Sequence, residues 1–585
     1  MKVIMTGNEA LARGAWEAGV TVAAAYPGTP STEILENMSR YPEVYSEWSP
    51  NEKVALEVGG GAAIAGARTL VAMKHVGVNV AADPLFTLTY TGINGGLVLV
   101  SADDPGMHSS QNEQDNRNYA KFAKIPVLEP SDSQEAKDFV KLAFALSEEY
   151  DTPVMLRLTT RVAHGQSLVE LGERVEAPLK DYVKNPGKYV MLPANARGRH
   201  LLVEERLVKL ASLAETFPQN LVELREDSRL GVITAGTCYQ YVREAFPQIS
   251  VLKLGMTYPL PEKLIRQFAS EVEQLVIVEE LDPFFQEHLK AWGIPCLGKE
   301  LFPLTGEFGP ELVAAKLGSL MGGNQEVAAA TAPAAAPVPT RPPVMCPGCP
   351  HRGVFYVLKK LDLVVSGDIG CYTLGALPPL GAMDTCICMG ASISGALGME
   401  KARGREFAKR MVAVIGDSTF MHSGVTGLMD VVYSQGITTI LIVDNHITAM
   451  TGHQQHPGTG MTIKNQPTAR VDIPALVRAL GVNRVQEVDA YDMAAVEKAL
   501  QEELAAEEPS VVIARRPCVL MLKNTGPVYT VVQGLCNRCG RCRLVGCPGV
   551  VYRKGQFPMI DVALCTGCGL CSQMCNKKAI MKGVD

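Results

Sequence analysis

The stretch MVAVIGDSTFMHSGVTGLMDVVYSQGITTILIVDN, residues 411–445, decides the fold of this chain. Each end carries a short run rich in Val and Ile, which is typical of a parallel strand buried on both faces. The residues between the runs suffice for one crossover helix, the connection that parallel neighbours require. Strand and helix patterns alternate elsewhere as well, so the sequence predicts an α/β, multidomain fold with doubly wound sheets.

Two polar residues close these predicted strands. Asp417 follows the first run and Asn445 follows the second. Ligands of such folds bind beyond the carboxyl ends of the strands, so we expect the two side chains to lie close together. A carboxylate, an amide oxygen and a nearby backbone carbonyl suit Mg²⁺, which completes its shell with phosphate oxygens and water. The alternative is that Gly416 and Asp417 only end a strand and cap the next helix.

The totals exclude several classes of protein. At 585 residues the chain should form roughly four domains, and its 47 % hydrophobic content supports large cores. The net charge of −6 lacks the basic signature of a nucleic-acid-binding protein. The N-terminal residues MKVIMTGNEA do not form a secretion signal. No apolar run reaches the roughly 18 residues of a membrane span, so we expect a cytoplasmic protein.

The cysteines are concentrated at one end of the chain. Eight of the 16 lie between Cys536 and Cys575, which favours metal binding over disulfides in a chain without a secretion signal. In paired C-x2-C-x2-C runs, three thiolates wrap one [4Fe–4S] cluster and the fourth serves the other cluster. The predicted ligand sets are Cys536, Cys539, Cys542 and Cys575 for one cluster, and Cys547, Cys565, Cys568 and Cys571 for the other.

These two runs predict a bacterial-type two-cluster ferredoxin domain over residues 528–585. Two features depart from the usual pattern: the first run has an extra residue before Cys547, and Asn576 replaces the usual proline. Zinc sites are the alternative interpretation of the same cysteines.

An Ala/Pro-rich segment divides the remaining chain. Residues 322–343 cannot pack a core and are predicted to be an extended linker. Before it, residues 1–165 contain predicted strands within 21–30, at 69–74 and at 96–104, and residues 166–321 contain predicted strands at 231–236 and 275–280. After it, residues 344–527 form the domain that carries Asp417 and Asn445.

Polar turns in the first domain are further candidates for function. The run Ser49-Pro50-Asn51-Glu52 predicts a helix start in which Ser49 is the N-cap and Glu52 completes a capping box. Thr29 lies in a Pro/Gly turn, and His75 and Asn79 lie in a polar segment after a strand, where functional loops occur. The alternative is an ordinary turn and a structural histidine.

The spacing G-D-S to D-N resembles the thiamine-diphosphate motif, although Ser418 and Asp444 replace the usual Gly and Asn. The resemblance implies that Gly416, Asp417, Ser418 and Asn445 bind the cofactor. It also implies that Mg²⁺ is held by Asp417, Asn445 and the carbonyl of Ile447.

The same resemblance extends to the first domain. Glu52 matches the family's E-x-x-A context, which implies a catalytic carboxyl hydrogen-bonded to the pyrimidine ring of the cofactor. The turn that contains Thr29 resembles a family element near the substrate. His75 and Asn79 are weaker candidates for the substrate site.

The whole chain resembles the α subunits of indolepyruvate ferredoxin oxidoreductases, within the thiamine-diphosphate-dependent 2-oxoacid:ferredoxin oxidoreductases. The segments KHVGVNVAADP, SADDPGMHSSQNEQD, CPGCPHR and GDSTFMHSG carry the likeness. It implies a pyrimidine-binding domain at 1–165, a transketolase-C-like domain at 166–321, a diphosphate-binding domain at 344–527 and the ferredoxin domain.

The implied enzyme converts aryl pyruvates such as indole-3-pyruvate, with coenzyme A and oxidised ferredoxin, to aryl-acetyl-CoA, CO₂ and reduced ferredoxin. A separate β subunit, similar to the γ component of related enzymes, would complete a heterodimer or heterotetramer. One alternative is the same reaction on pyruvate or another 2-oxo acid, and the other is an electron-transfer subunit with an inactive thiamine site.

A third cluster is a further hypothesis. Related oxidoreductases hold a [4Fe–4S] cluster beside thiamine with four cysteines in the order found here: Cys346, Cys349, Cys371 and Cys518. The sequence departs from that pattern at Pro350-His351. The alternative is that these are buried thiols that only pack.

Overall fold

The computed structural model describes residues 1–226, 228–321, 343–522 and 526–583. The chain forms two compact units, Met1–Pro337 and Val338–Asp585. The linker expected at 322–343 lies outside the described residues, except for Pro343. None of the described helices is long and apolar enough to cross a membrane.

The first unit is built on a seven-stranded sheet within its described residues. Neighbours are parallel except for the first pair, which is antiparallel. The central strands are buried at every residue, which explains why their sequences do not alternate. The strands predicted at 69–74 and 96–104 are confirmed. In order across the sheet, the strands are Met256–Tyr258, Val127–Leu128, Val154–Thr159, Leu97–Asp103, Thr69–Lys74, Val22–Ala25 and Tyr45–Trp48.

A smaller sheet lies in the second half of this unit, and it confirms the strands predicted near 231–236 and 275–280. Its order is Gln274–Val278, Leu230–Thr234, Ser250–Lys253 and Leu221–Glu223, the last antiparallel to its neighbour. One hydrophobic core contains buried residues of both halves, among them Leu99, Leu252 and Phe285. The two halves therefore fold around a shared core.

Helices cover these sheets, and Lys2–Thr6 forms an antiparallel ribbon with Gln166–Glu170. The helices of the first unit are Gly7–Glu17, Thr32–Met38, Glu52–Ile64, His75–Val80, Ala82–Thr91, Arg117–Ala123, Ser133–Tyr150, Thr160–His164, Pro186–Tyr189, Pro193–Ala214, Gly236–Ala245, Glu262–Ser270, Phe284–Ala291 and Pro310–Leu320.

The second unit is built on a six-stranded parallel sheet. Met411–Gly416 pairs in parallel with Thr439–Asp444, which confirms the prediction from residues 411–445. The crossover contains a π-helical turn, Phe420–Gly424, before the helix Val425–Tyr433. The strand order is Thr385–Cys386, Val364–Gly367, Met411–Gly416, Thr439–Asp444, Ser510–Arg515 and Arg484–Asp489.

The C-terminal segment of this unit consists of short elements. Two antiparallel ribbons pair Tyr529–Val531 with Ile580–Lys582, and Val550–Val551 with Met559–Ile560. Its residues Val545 and Leu570 share one hydrophobic core with Val354 of the preceding domain. The remaining helices of the unit are His351–Lys360, Cys371–Ala376, Ala391–Arg403, Arg405–Ala408, Asp417–Thr419, Ile473–Ala479, Met493–Leu504, Val519–Met521, Arg541–Val545 and Leu570–Gln573.

Candidate functional site

Polar residues follow the carboxyl ends of neighbouring parallel strands in the first unit. This edge of the sheet is where α/β folds bind ligands. Two of the residues, Lys74 and His75, stand at the junction between a buried strand and the next helix. The residues on this edge are Thr29, Glu52, Lys74, His75 and Asp104.

The helix at Glu52 is capped differently from the sequence prediction. It runs over Glu52–Ile64, and the side chain of Asn51 accepts the N–H of Val54 at 2.9 Å as the N-cap. The predicted capping box led by Ser49 is therefore wrong. The hydroxyl of Ser49 donates instead to the carboxylate of Glu47 at 2.7 Å.

Glu52 is a buried carboxyl at the start of this helix, with 6 % of its surface exposed. It packs against Gly77, where an added Cβ atom would lie 2.7 Å from Cγ of Glu52. Glycine at position 77 therefore makes room for the glutamate. The catalytic role of Glu52 stays a prediction.

The loop at residues 107–116 contacts all three candidate substrate residues. Nε2 of His75 lies 3.2 Å from the carbonyl oxygen of Asn112, and Asn79 exchanges hydrogen bonds with Gln114 at 3.0 and 3.1 Å. The hydroxyl of Ser109 lies 3.4 Å from the carbonyl oxygen of Thr29. These contacts bring Thr29, His75 and Asn79 to one loop, and their substrate role stays a prediction.

Lys74 is a functional candidate that the sequence interpretation missed. Its side chain is buried, and Nζ donates to the carbonyl oxygen of Ser109 at 2.6 Å. Burial lowers the pKa of Lys74 to about 8, against the opposing effect of Asp104. The signal was a lysine that closes the apolar strand T-L-V-A-M-K, where a cation can meet an anionic ligand.

In the second unit, Asp417 is a buried carboxyl directly after its strand. Its Oδ2 lies 3.1 Å from Nε2 of His456. Burial raises the pKa of Asp417, and the hydrogen bond from His456 opposes that rise. Burial would also raise the pKa of neighbouring Asp444, but His446 and Arg515 outweigh it and hold that pKa well below its ordinary value.

Asn445 lies beyond the end of the adjacent strand and is also buried. Its Oδ1 accepts the N–H of Ile447 at 3.2 Å, and its Nδ2 lies 3.4 Å from Nε2 of His351. The hydroxyl of Thr448 donates to that of Ser418 at 2.8 Å. Asp417 and Asn445 thus lie at the carboxyl ends of paired strands, as the sequence predicted. Their roles as ligands stay a prediction.

This donor set fits a hard cation. Asp417 supplies a carboxylate, Asn445 an amide oxygen, and Ile447 a backbone carbonyl in the following turn. A bound cation would favour the ionised form of Asp417, which burial otherwise disfavours. His351 and His456, which the sequence interpretation passed over, line the same donor group.

The C-terminal cysteines receive hydrogen bonds from the backbone. Amide N–H groups donate to the sulfurs of Cys575 at 3.2 Å, of Cys536 at 3.4 Å and of Cys565 at 3.5 Å. Hydrogen bonds to cysteine sulfurs are one of the means by which proteins tune iron–sulfur clusters. The segment thus fits thiolate-bound clusters.

Electrostatic interactions connect these cysteines within each predicted ligand set and also between the sets, because Cys571 interacts with Cys542. Burial raises the pKa of Cys542, and the Cys539, Cys536 and Cys575 thiolates add to that rise. Burial raises the pKa of Cys571 to about 12, and thiolates including Cys568, Cys547 and Cys565 add to it. Among the described residues, no three His, Cys, Asp or Glu side chains are already arranged to hold a metal ion. The cluster assignments stay predictions.

The four cysteines of the hypothetical third cluster are also neighbours. Burial raises the pKa of Cys371 to about 11, and the thiolates of Cys518 and Cys346 add to the rise. Burial likewise raises the pKa of Cys349 to about 12. The N–H of Cys518 donates to the carbonyl oxygen of Asn445 at 3.0 Å. These four cysteines therefore lie next to the sheet edge that carries Asp417 and Asn445.

The loop Cys346-Pro347-Gly348-Cys349, here called the CPGC loop, packs against the C-terminal segment. Gly348 has a φ of +71°, and an added Cβ atom would lie 2.0 Å from Oγ1 of Thr566. The hydroxyl of Tyr491 donates to the carbonyl oxygen of Gly348 at 2.5 Å. Only glycine allows this approach, because a side chain would collide with the C-terminal cysteine loop.

Two family models match the chain. Residues 13–202 match the family described as "Pyruvate flavodoxin/ferredoxin oxidoreductase, thiamine diP-bdg". Residues 368–514 match the family described as "Thiamine pyrophosphate enzyme, C-terminal TPP binding domain". The first match contains Glu52, and the second contains Asp417 and Asn445.

Curated relatives extend the match to nearly the whole chain. Indolepyruvate oxidoreductase subunit IorA of Archaeoglobus fulgidus is 41 % identical over 611 residues, covering 99 % of this chain and 97 % of the relative. The protein of the same name from Pyrococcus horikoshii is 42 % identical over 628 residues, with the same coverage of 99 % and 97 %. The 2-oxoglutarate synthase subunit KorA of Methanothermobacter thermautotrophicus is 28 % identical over 324 residues, covering 47 % of this chain and 86 % of the relative.

Proposed function

The chain belongs to the family of indolepyruvate oxidoreductase IorA subunits, and we propose that it catalyses the oxidative decarboxylation of aryl pyruvates such as indole-3-pyruvate. The observation that carries the proposal is identity of 41 % over 99 % of the chain. In the balanced reaction, the 2-oxo acid and the thiol of coenzyme A yield aryl-acetyl-CoA, CO₂ and a proton. The two electrons released reduce ferredoxin one at a time.

The second unit holds the thiamine diphosphate in this proposal. Bound thiamine diphosphate supplies the electron sink for decarboxylation. Asp417, Asn445 and the carbonyl of Ile447 would hold Mg²⁺, and Gly416 and Ser418 would bind the diphosphate. The buried setting of Asp417 supports its role, because a buried carboxylate gains most from a bound cation.

In the first unit, Glu52 would hydrogen-bond to the pyrimidine ring of a bound thiamine diphosphate and move its proton. A carboxyl group within hydrogen-bond reach can serve as a general acid and base. Thr29, His75 and Asn79 line the substrate side, where the loop at 107–116 fixes them. Lys74 adds a buried cation on the same edge of the sheet.

The cysteines of the second unit carry the electrons away. Iron–sulfur clusters supply one-electron transfer when bound. The C-terminal segment would hold two clusters with the ligand sets given above, and Cys346, Cys349, Cys371 and Cys518 would hold the third. The backbone N–H groups directed at Cys536, Cys565 and Cys575 support a cluster-binding segment.

We assign the chain a separate β subunit as its partner, with ferredoxin and coenzyme A as co-substrates. The subunit designation of its relatives supports a partner chain. We also propose a cytoplasmic location, which the eight cysteines between Cys536 and Cys575 support, since reducing compartments keep thiols available for metals.

An anaerobic substrate panel tests this function. The chain, purified with its partner subunit, is given CoA and a viologen dye with indole-3-pyruvate, pyruvate, 2-oxoglutarate or a branched 2-oxo acid. We expect the highest kcat/KM for indole-3-pyruvate, with CO₂ released in step with dye reduction. A higher kcat/KM for another acid would reassign the substrate within the same reaction. Bound thiamine diphosphate without CO₂ release from any acid would identify an electron-transfer subunit.

A further inference from the structure

Arg352 joins the CPGC loop to the C-terminal segment inside the second unit. Only 2 % of its surface is exposed. Its Nε donates to the carbonyl oxygen of Cys346 at 2.8 Å, and Nη2 donates to that of Met345. Across the junction, Nη1 donates to the carbonyl oxygens of Val545, at 3.4 Å, and of Gly546. One guanidinium thus ties together two segments that lie nearly 200 residues apart in the sequence.

These partners satisfy the hydrogen bonds of Arg352 but do not balance its charge. All four acceptors are neutral backbone carbonyls. Within the described part of the chain, no carboxylate forms an ion pair with this guanidinium. Burial of an unpaired charge is expensive even when its hydrogen bonds are satisfied. A negative charge bound beside Arg352 would lower this cost.

Cysteines surround Arg352 on both sides. Its Nε donates to the backbone of Cys346, and its Nη1 donates to the backbone of Gly546, which directly precedes Cys547. Cys346 belongs to the CPGC loop, and Cys547 belongs to the second predicted ligand set of the C-terminal segment. The same two loops meet directly at Gly348 and Thr566.

We propose that Arg352 is a positioning residue that holds the CPGC loop against the C-terminal cysteine loops. Its positive charge is shared by the two thiolate-bound iron–sulfur centres on either side. That these centres are iron–sulfur clusters rests on the proposed function. Each centre, with four thiolate ligands, is an anion, so the pair supplies the negative charge that the buried guanidinium lacks. The short junction also favours electron transfer between the centres.

This arrangement has a direct consequence for reduction. When an electron passes, the centre held by the Cys346 group is oxidised and the centre held by the Cys547 group is reduced, and no proton moves. A nearby cation stabilises the more negative, reduced form of each centre and raises its reduction potential. Loss of the charge should lower both potentials.

The test is an anaerobic redox titration of the full chain with its partner subunit, followed by EPR. The variants are R352Q, which removes the charge, and R352K, which keeps the charge but loses the planar fork of donors. R541Q is the matched control, because Arg541 is exposed beside Cys542 and solvent screens its charge. Iron content is measured for each protein.

We expect R352Q to retain its iron. The equilibrium constant for one-electron reduction of each centre should fall roughly tenfold, which corresponds to a reduction potential lower by about 59 mV. R352K and R541Q should keep wild-type potentials. Wild-type potentials in R352Q would overturn the proposal. If R352Q loses iron, recovery of iron in R352K supports the charge, and an equally iron-free R352K overturns it.

The iron content of the wild-type chain is a second decision point. About twelve iron atoms per chain are expected from three [4Fe–4S] centres. About eight would remove the centre on the CPGC side and overturn the shared charge. None of these readouts depends on turnover, so failure of indole-3-pyruvate as a substrate would refute the proposed function separately.

Discussion

Two buried arginines of the first unit and one buried arginine of the second have contrasting partners. In the first unit, Arg157 forms ion pairs with Asp103 at 2.7 Å and Glu129 at 2.6 Å. Arg117 of the same unit pairs with Asp115 at 2.5 Å. In the second unit, the equally buried Arg352 meets carbonyl oxygens and cysteines.

This difference sets two ion-paired arginines of the first unit apart from Arg352. It does not extend to every buried cation of the first unit, because Arg206 donates to the backbone carbonyl oxygens of Asp151 and Thr89. The second unit contains buried cysteines next to Arg352, and a buried carboxylate, Asp417, at the predicted Mg²⁺ site. We therefore expect its stability and its chemistry to depend on metal ions and cofactor.

The largest expected effect lies at Asp417. Replacing it with alanine (D417A) should abolish thiamine-diphosphate binding, because the site loses the carboxylate that holds Mg²⁺. The C-terminal clusters should keep their iron, since their ligands lie elsewhere. Cofactor content and iron content of the purified variant are the measurements. The control D430A changes an exposed carboxylate on a nearby helix, and cofactor retention by D417A would refute the assignment.

The next effect concerns Glu52 of the first unit, which we predict to be catalytic but not to bind metal. Glu52→Gln should lower kcat by ~10²–10⁴-fold, the usual contribution of general acid–base catalysis, and leave cofactor content unchanged. Because Asn51 caps the helix, stability should change little. Steady-state kinetics and thermal melting check this, with E57Q on the exposed face of the same helix as control. A near-normal kcat would contradict the catalytic assignment and indicate that Glu52 has only a structural role.

A smaller effect tests the ion pairs of Arg157 in the first unit. Arg157→Met leaves Asp103 and Glu129 buried without their partner, which should cost about 3–5 kcal/mol of unfolding free energy. The three tryptophans of the chain, Trp16, Trp48 and Trp292, all lie in this unit, so tryptophan fluorescence reports its unfolding. Arg161→Met is the control and should cost about 0–1 kcal/mol, because its side chain is 59 % exposed. Equal losses in both variants would contradict the contrast.

The smallest effect is an opposite response to pH in the two units. Burial raises the pKa of Glu280 to about 7, so its stabilising contribution is full below its ordinary value and is lost as pH rises through about 7. Burial lowers the pKa of His351 to about 4, so its contribution is full above its ordinary value and is lost as pH falls towards 4. Each contributes roughly 3 kcal/mol at most, since one pKa unit corresponds to about 1.4 kcal/mol.

Melting between pH 5 and pH 8 measures both responses, by tryptophan fluorescence for the first unit and by visible cluster absorbance for the second. E280Q should flatten the first profile, and H351Q should flatten the second. Parallel profiles in the two units, or no change in either variant, would count against these assignments.

The sequence alone predicted the local parts of this fold well. The buried strands Thr69–Lys74 and Met411–Gly416 follow from their runs of apolar residues, and the place of Asp417 follows from its strand. Capping was predicted less well, because Ser49 and Asn51 both suit an N-cap and only the path of the chain decides between them.

Long-range contacts were beyond prediction. Met256–Tyr258 joins the first sheet through Val127–Leu128, far away in the sequence. Tertiary packing determines the hydrogen-bond partners of Arg352 and His456, so they cannot be predicted from periodicity or spacing in the sequence. The motif C-P-G-C-P-H-R contained Arg352, but its position between two cysteine groups emerges only in the folded chain.

The central claim is that electrons released at the Asp417 and Asn445 edge pass through the CPGC loop to the C-terminal cysteines. The most direct measurement mixes the full chain and its partner anaerobically with indole-3-pyruvate and CoA, without an external acceptor, and records EPR spectra and CO₂. We expect reduced [4Fe–4S] signals in the wild-type protein. In Cys346→Ser, a first round of CO₂ release should persist while the C-terminal clusters stay oxidised. Reduction of those clusters at the wild-type rate in this variant would contradict the claim.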